Sequence, residues 1–212
     1  MRLYQNKIML SQNKIVSENV VRILSYLKRD INGSFSIRRI SKETKLSYNS
    51  CYKTIQSLKE INVILLRKEG GVNYCSLTDS PKAKLLLSYV SLLETEMFLL
   101  NKTILKKILK ELIDKFNLNI DFLVLFGSFA KGKEKKGSDI DLLCVSSERN
   151  KIQSYVRHLA MKYDKDIQVI VANKEDFAKM LDEEKVNVGK EARDTGIVLH
   201  GYESFWGIVL KR

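Results

Sequence analysis

The chain has 212 residues, 44% of them hydrophobic and 29% charged, with a formal net charge of +12 at pH 7. That length and apolar content suffice for two modest domains with real cores and exclude a chain that is disordered throughout. The charge is uneven, because residues 1–80 carry 14 Lys and Arg against 6 Asp and Glu while residues 118–212 carry 16 against 15; the excess in the N-terminal part points to a polyanionic partner there. Cys51, Cys75 and Cys144 are far apart and lack CxxC spacing, so they read as reduced core residues of a cytoplasmic protein. No apolar run reaches membrane-spanning length and the N-terminus lacks a signal-peptide core, so no membrane partner is expected.

In chain order, residues 1–16 form a mixed stretch without a clear assignment. Ser17 then reads as an N-cap, with Val20, Val21, Ile23, Leu24 and Leu27 at helical spacing and Asn32-Gly33 as the stop. A second short helix is predicted from Ile37 to Leu46, with Ile37, Ile40 and Leu46 inward. Ser47 caps a third, Tyr48 to Ile61, whose apolar stripe is Cys51, Ile55 and Leu58. Two strand-like runs between Val63 and Leu77 flank Gly70-Gly71, a hairpin signal. Three short helices and a hairpin make a winged helix-turn-helix. In such folds the later helix enters the major groove of duplex DNA, which nominates Tyr48, Asn49, Ser50 and Lys53 on it, and Arg67 and Lys68 on the hairpin, as DNA contacts. The other reading is a protein-protein module with a solvated lysine face.

Pro81 stands at a first-turn position with Asp79 or Ser80 as cap, and no Gly or Pro follows until Gly127. Leu86, Val90, Leu93, Met97, Leu100 and Ile104 recur at heptad spacing, which predicts one helix over Pro81–Phe116, about 54 Å long, and a homodimer through that seam. The alternative is two helices broken near Asn101, each packing on its own domain.

Leu123 to Phe126 reads as a buried strand ended by Gly127. A glycine there lets backbone N–H groups approach phosphate oxygens, and the Ser128 hydroxyl adds a donor. The loop Lys131 to Gly137 carries four lysines, suited to a triphosphate or nucleic acid, although solubilising loops look the same. Ser138 to Val145 reads as a second strand with Asp139 and Asp141 on one face. Two carboxylates so close repel unless a cation lies between them, and hard Mg²⁺ or Mn²⁺ takes such ligands. Helices are predicted at Arg149–Tyr163, Lys174–Leu181 and Gly189–Thr195, with a strand at Asp166–Val171. His158 has no evident partner, and Tyr202, Phe205 and Trp206 read as core.

Gly127-Ser128, Gly132 and Ser138-Asp139-Ile140-Asp141-Leu142 resemble the GS…G…SDIDL signature of the DNA polymerase β-like nucleotidyltransferase superfamily, in particular its minimal nucleotidyltransferases. The resemblance covers residues 118–212. It implies that Gly127, Ser128 and Ser138 bind an NTP, that Asp139 and Asp141 hold divalent metal, and that a third acid on the following strand completes the catalytic site. That third position falls on Gln168, which can neither carry charge nor accept a proton. Asp166, two residues earlier, is the substitute by strand periodicity; its other role is a turn residue. The expected fold is α+β: a winged helix-turn-helix at 1–80, a connecting and dimerising helix at 81–117, and a mixed-sheet nucleotidyltransferase-like α/β domain at 118–212. Two functions stand: NMP transfer from an NTP to an unknown acceptor, or a DNA-binding, antitoxin-like regulator that has lost catalysis and binds nucleotide or a helical toxin-like partner.

Overall fold

The computed structural model describes residues 16–135 and 137–211. The chain divides into two compact units, with the boundary between Val90 and Ser91. The unassigned stretch before Val16 and Lys136 of the lysine loop lie outside the described residues.

The N-terminal unit begins with helix α1, Glu18–Leu27, capped by Ser17, whose hydroxyl accepts the Val20 N–H. Strand β1, Phe35–Ser36, leads into α2, Ile37–Thr44. The second helix stops before the expected Leu46 because Lys45 turns left-handed, with φ 56°. Helix α3, Tyr48–Glu60, starts at Ser47, which accepts the Ser50 N–H. Strands β2, Ile64–Glu69, and β3, Val72–Leu77, pair antiparallel around Gly70 and Gly71, both at positive φ. The two-residue β1 pairs with β3 through Phe35 and Cys75, giving a sheet in the order β1-β3-β2. Ile23, Leu24, Leu27, Ile37, Ile40, Cys51, Ile55, Leu58 and Ile64 are buried between helices and sheet. Leu46 is only half-buried.

The single helix expected from Pro81 to Phe116 is broken. Helix α4 runs Pro81–Leu99 and α5 runs Thr103–Phe116, with Leu100 to Lys102 between them. Lys102 occupies the break. Its ammonium lies 4.8 Å from the Phe98 ring centre and 5.6 Å from that of Phe129, and it forms an ion pair with Glu134. A cation held by two aromatic faces and a carboxylate fixes a turn that no glycine or proline marks. The buried line of α4 is Ala83, Leu87, Val90, Ser91 and Thr95, which shares only Val90 with the expected seam. Leu100 is 73% exposed.

The C-terminal unit is built on a four-stranded sheet in the order β6-β5-β4-β7: β4 Ile120–Phe126, β5 Ile140–Ser146, β6 Ile167–Ala172 and β7 Ile197–His200. The β4/β5 and β4/β7 pairs are antiparallel, and β5/β6 is parallel through the crossover helix α7, Arg149–Tyr163. A short helix α6, Gly127–Ala130, joins β4 to the lysine loop. Leu123, Leu125, Ile140, Leu142, Cys144 and Val171 meet α5 and α7 through Leu105, Ile108, Leu112, Ile152, Val156 and Leu159 on one face. Pleating sends Phe122 to the other face. There it packs edge-on against Phe177 of α8, Lys174–Asp182, and Phe205 of α10, Tyr202–Val209. Helix α9, Val188–Thr195, lies against β4 and β5. Phe205 and Trp206 are core, with the Trp206 indole N–H donating to Ser91 at 3.0 Å. His158 is exposed beside Tyr155.

Candidate active site

At one edge of the C-terminal sheet three strands put one residue each into a row: Phe126 of β4 opposes Asp141 of β5, and Asp141 opposes Gln168 of β6. The same pleat that buries Ile140 and Leu142 against α5 and α7 turns Asp141 and Gln168 to the opposite face. Gly127, directly after Phe126, has φ +70°, and a Cβ built on it would lie 2.2 Å from Asp141 Oδ2. Glycine is therefore required twice, for the left-handed backbone and for the carboxylate pressed against it. Gln168 Nε2 donates to Asp139 Oδ2 at 2.6 Å. An ionised carboxylate only accepts, so the amide must present its nitrogen to Asp139.

Asp141 carries a raised pKa: burial comes first, then the negative charges of Asp139 and Glu191. Sequence reasoning passed over Glu191, which lies in an ordinary helical stretch without a motif. Its carboxylate is ion-paired to Lys131 Nζ at 2.6 Å. Lys131 follows α6, and its N–H donates to the Gly127 carbonyl at 3.3 Å. Among the described residues no three His, Cys, Asp or Glu side chains stand close enough to hold one ion. Asp139 and Asp141 are two carboxylates only, so a hard cation held there would need water or bound phosphate oxygens to complete its shell.

The remaining candidates occupy different settings. Ser128 is half-buried on α6. Ser138 closes the lysine loop: its Oγ accepts the Lys135 N–H at 2.8 Å and its own N–H donates to the Lys135 carbonyl at 3.0 Å. Asp166 is exposed and precedes β6, and its backbone carbonyl accepts the Ile140 N–H at 2.8 Å. The structure thus joins Gly127, Asp139, Asp141 and Gln168, and adds Lys131 and Glu191. Asp166 enters through its backbone. In the loop, Lys133 and Lys135 are exposed and Glu134 turns away to Lys102.

In the N-terminal unit Tyr48, Asn49 and Lys53 are exposed on α3, opposite the buried Cys51, Ile55 and Leu58. Tyr52, one turn after Tyr48 and also exposed, stacks on it with ring centres 6.3 Å apart. Ser50 accepts the Ser47 hydroxyl at 3.0 Å and is occupied in the cap. Arg67 and Lys68 are exposed neighbours on β2, so their side chains leave opposite faces of the hairpin. A cleft of about 680 Å³ is lined by Arg38, Lys42, Lys45, Tyr48 and Asn73.

Comparison with protein-family models matches residues 105–198 to the nucleotidyltransferase domain. Neither the curated proteins nor the solved structures yield a match to the chain. The matched span runs from α5 to β7 and contains the whole Gly127, Asp139, Asp141 and Gln168 row. No helix among the described residues is long and apolar enough to cross a membrane.

Proposed function

We propose that the nucleotidyltransferase domain at residues 105–198 binds a nucleoside triphosphate with a divalent cation and passes its nucleoside monophosphate to a hydroxyl acceptor, with pyrophosphate leaving. The observation that carries this reading is the Gly127–Asp141 approach: a left-handed glycine beside which the Asp141 carboxylate stands 2.2 Å from where a Cβ would be. In this reading Gly127 and Ser128 offer N–H and hydroxyl donors to the phosphates, and Asp139 and Asp141 hold Mg²⁺ or Mn²⁺. When bound, the cation supplies a Lewis acid at the transferring phosphate. Gln168 keeps Asp139 oriented through its amide N–H. Ser138 shapes the loop ahead of the aspartates and can still donate its hydroxyl hydrogen.

The test is equilibrium binding of ATP, CTP, GTP and UTP with Mg²⁺ to the full chain, followed by detection of released pyrophosphate. Specific binding that is abolished in the Asp139→Asn/Asp141→Asn double variant supports the reading. Binding that survives both substitutions refutes it.

A second reading concerns the N-terminal unit, whose helices, hairpin and exposed Tyr48, Asn49 and Lys53 favour a winged helix-turn-helix that binds duplex DNA. With it goes a homodimer through α4, on which Leu93 and Met97 are half-buried and Leu85 is 57% exposed. Such a protein is a DNA-bound nucleotidyltransferase or, if the neutral Gln168 prevents turnover, a nucleotide-binding regulator.

A further inference from the structure

The cleft of about 680 Å³ in the N-terminal unit carries a chemistry that duplex contacts through α3 leave unused, and this inference rests on the reading of that unit as a nucleic-acid binder. One wall is α2 with the turn after it. Arg38 and Lys42 stand one helical turn apart and Lys45 closes the helix, so three cations follow that wall over about 10 Å. All three are exposed, none is ion-paired among the described residues, and no acidic residue lines the cleft. The second feature is aromatic. Tyr48 opens α3 at the cleft, is 49% exposed, and stacks on Tyr52 with ring centres 6.3 Å apart and planes 23° apart. Tyr52 is not part of the cleft wall, so it braces the Tyr48 ring from behind and leaves it available on the cleft side. The hairpin supplies the bare backbone of Gly71 and the amide of Asn73, which can pair with a base edge. Asn49 and Lys53, the α3 residues suited to a duplex, lie outside this lining.

We propose that this cleft binds an unpaired strand of nucleic acid, with phosphates along Arg38, Lys42 and Lys45 and a base stacked on Tyr48. A base inside a duplex has both faces covered by its neighbours and offers only its edges, so a braced and exposed aromatic ring serves a base that has left the stack. An acidic peptide would neutralise the cations and leave the ring idle. A free nucleotide carries its phosphates in one cluster, whereas a row of cations about 10 Å long follows a chain. The surplus of 14 Lys and Arg against 6 Asp and Glu over residues 1–80 attracts a polyanion from beyond contact range. The unit thus has two nucleic-acid faces that meet at Tyr48: α3 toward paired DNA, and the cleft toward a single strand where a duplex ends or opens.

The experiment reads the anisotropy of fluorescently labelled oligo(dT) and oligo(U) of about 12 nucleotides, and of a mixed-sequence duplex of the same length, over a salt series. The full chain is used in EDTA, so that the other unit has no cation with which to hold nucleotide, and each variant is first checked by thermal melting. Expected are binding of both oligonucleotides by the natural chain and a loss of about 5- to 150-fold in Tyr48→Ala, the worth of one stacked base. Tyr48→Phe, which keeps the ring, should stay within about twofold of the natural chain. Arg38→Ala/Lys42→Ala should flatten the slope of log affinity against log salt by about 1.4, as two lost phosphate contacts require. Lys59→Ala, on α3 outside the cleft, controls for loss of charge alone. A Tyr48→Ala chain within about twofold of the natural one, equal losses for oligonucleotide and duplex in that variant, or a loss in Tyr48→Phe as large as in Tyr48→Ala would overturn stacking of an unpaired base. A Lys59→Ala effect as large as that of Arg38→Ala/Lys42→Ala, or displacement of the oligonucleotide by thymidine monophosphate or oligoglutamate at matched charge, would overturn the cleft as the seat of a strand. A chain that binds the duplex and neither oligonucleotide would sink this inference and leave the duplex reading standing, while one that binds no nucleic acid would refute both.

Discussion

Replacing Gly127 by alanine separates two effects that the site combines. The backbone there has φ +70°, which costs an L-residue about 1–2 kcal/mol. The new Cβ would also stand 2.2 Å from Asp141 Oδ2 and 3.0 Å from its carboxyl carbon. Restoring ordinary contact requires the oxygen to move by roughly 1 Å, and a misplacement of that size costs about 10²-fold where a site depends on geometry. Gly132 is the internal control, since it has φ +61° and no atom within 4 Å of a built Cβ. Both Gly127→Ala and Gly132→Ala should therefore lower the melting temperature of the C-terminal unit, by about 4 °C per kcal/mol. Only Gly127→Ala should also weaken Mg²⁺–NTP binding, by about two orders of magnitude. Calorimetric titration and thermal melting of the two variants decide it. Equal nucleotide affinity in both would mean that the close approach has no part in holding phosphate or metal.

Asp141 has a folded-state pKa above its unfolded one, so stability falls as pH rises through that window and the cost is fully present above the folded pKa. Asp141→Asn should accordingly raise the melting temperature at neutral pH without metal, and the gain should vanish near pH 3, where both forms are neutral; a gain that persists at low pH would refute this. Duplex DNA binding by the full chain should weaken steeply with salt and weaken further in Lys53→Glu, and a flat gel-shift series would exclude a phosphate-reading surface. Light scattering at micromolar concentration should give a dimer mass that Leu93→Glu/Met97→Glu reduces to a monomer; a monomeric natural chain would remove α4 as an interface.

How far the sequence carries depends on the range of the forces involved. Ser17 and Ser47 signal their helices because a cap acts within three residues, and Gly70-Gly71 signals the hairpin because a turn is decided locally. The spacing of Asp139 and Asp141 is equally local, and the register that sets Gln168 against Asp141 follows from the parallel pairing of two readable strands. The break between α4 and α5 is not local. It depends on Lys102 meeting Phe129 and Glu134, about thirty residues on, so an unbroken heptad pattern was misleading there. Glu191 escaped for a related reason: its helix looks ordinary until folding lays it against β4 and β5, more than forty residues back in the chain. The two-residue β1 is too short to carry any period.

Trp206 is the only tryptophan in the chain, is almost fully buried, and donates its indole N–H to Ser91. Its emission therefore belongs to residues 91–212 alone, and a red shift records the opening of that unit with no contribution from the helices and hairpin before it. Both units contain helices and strands, so far-ultraviolet dichroism, which senses both, and tryptophan fluorescence, which senses one, would separate two transitions in one melt of the unmodified protein. Added nucleotide would then move the optical transition of one unit, giving a label-free titration that needs no engineered probe.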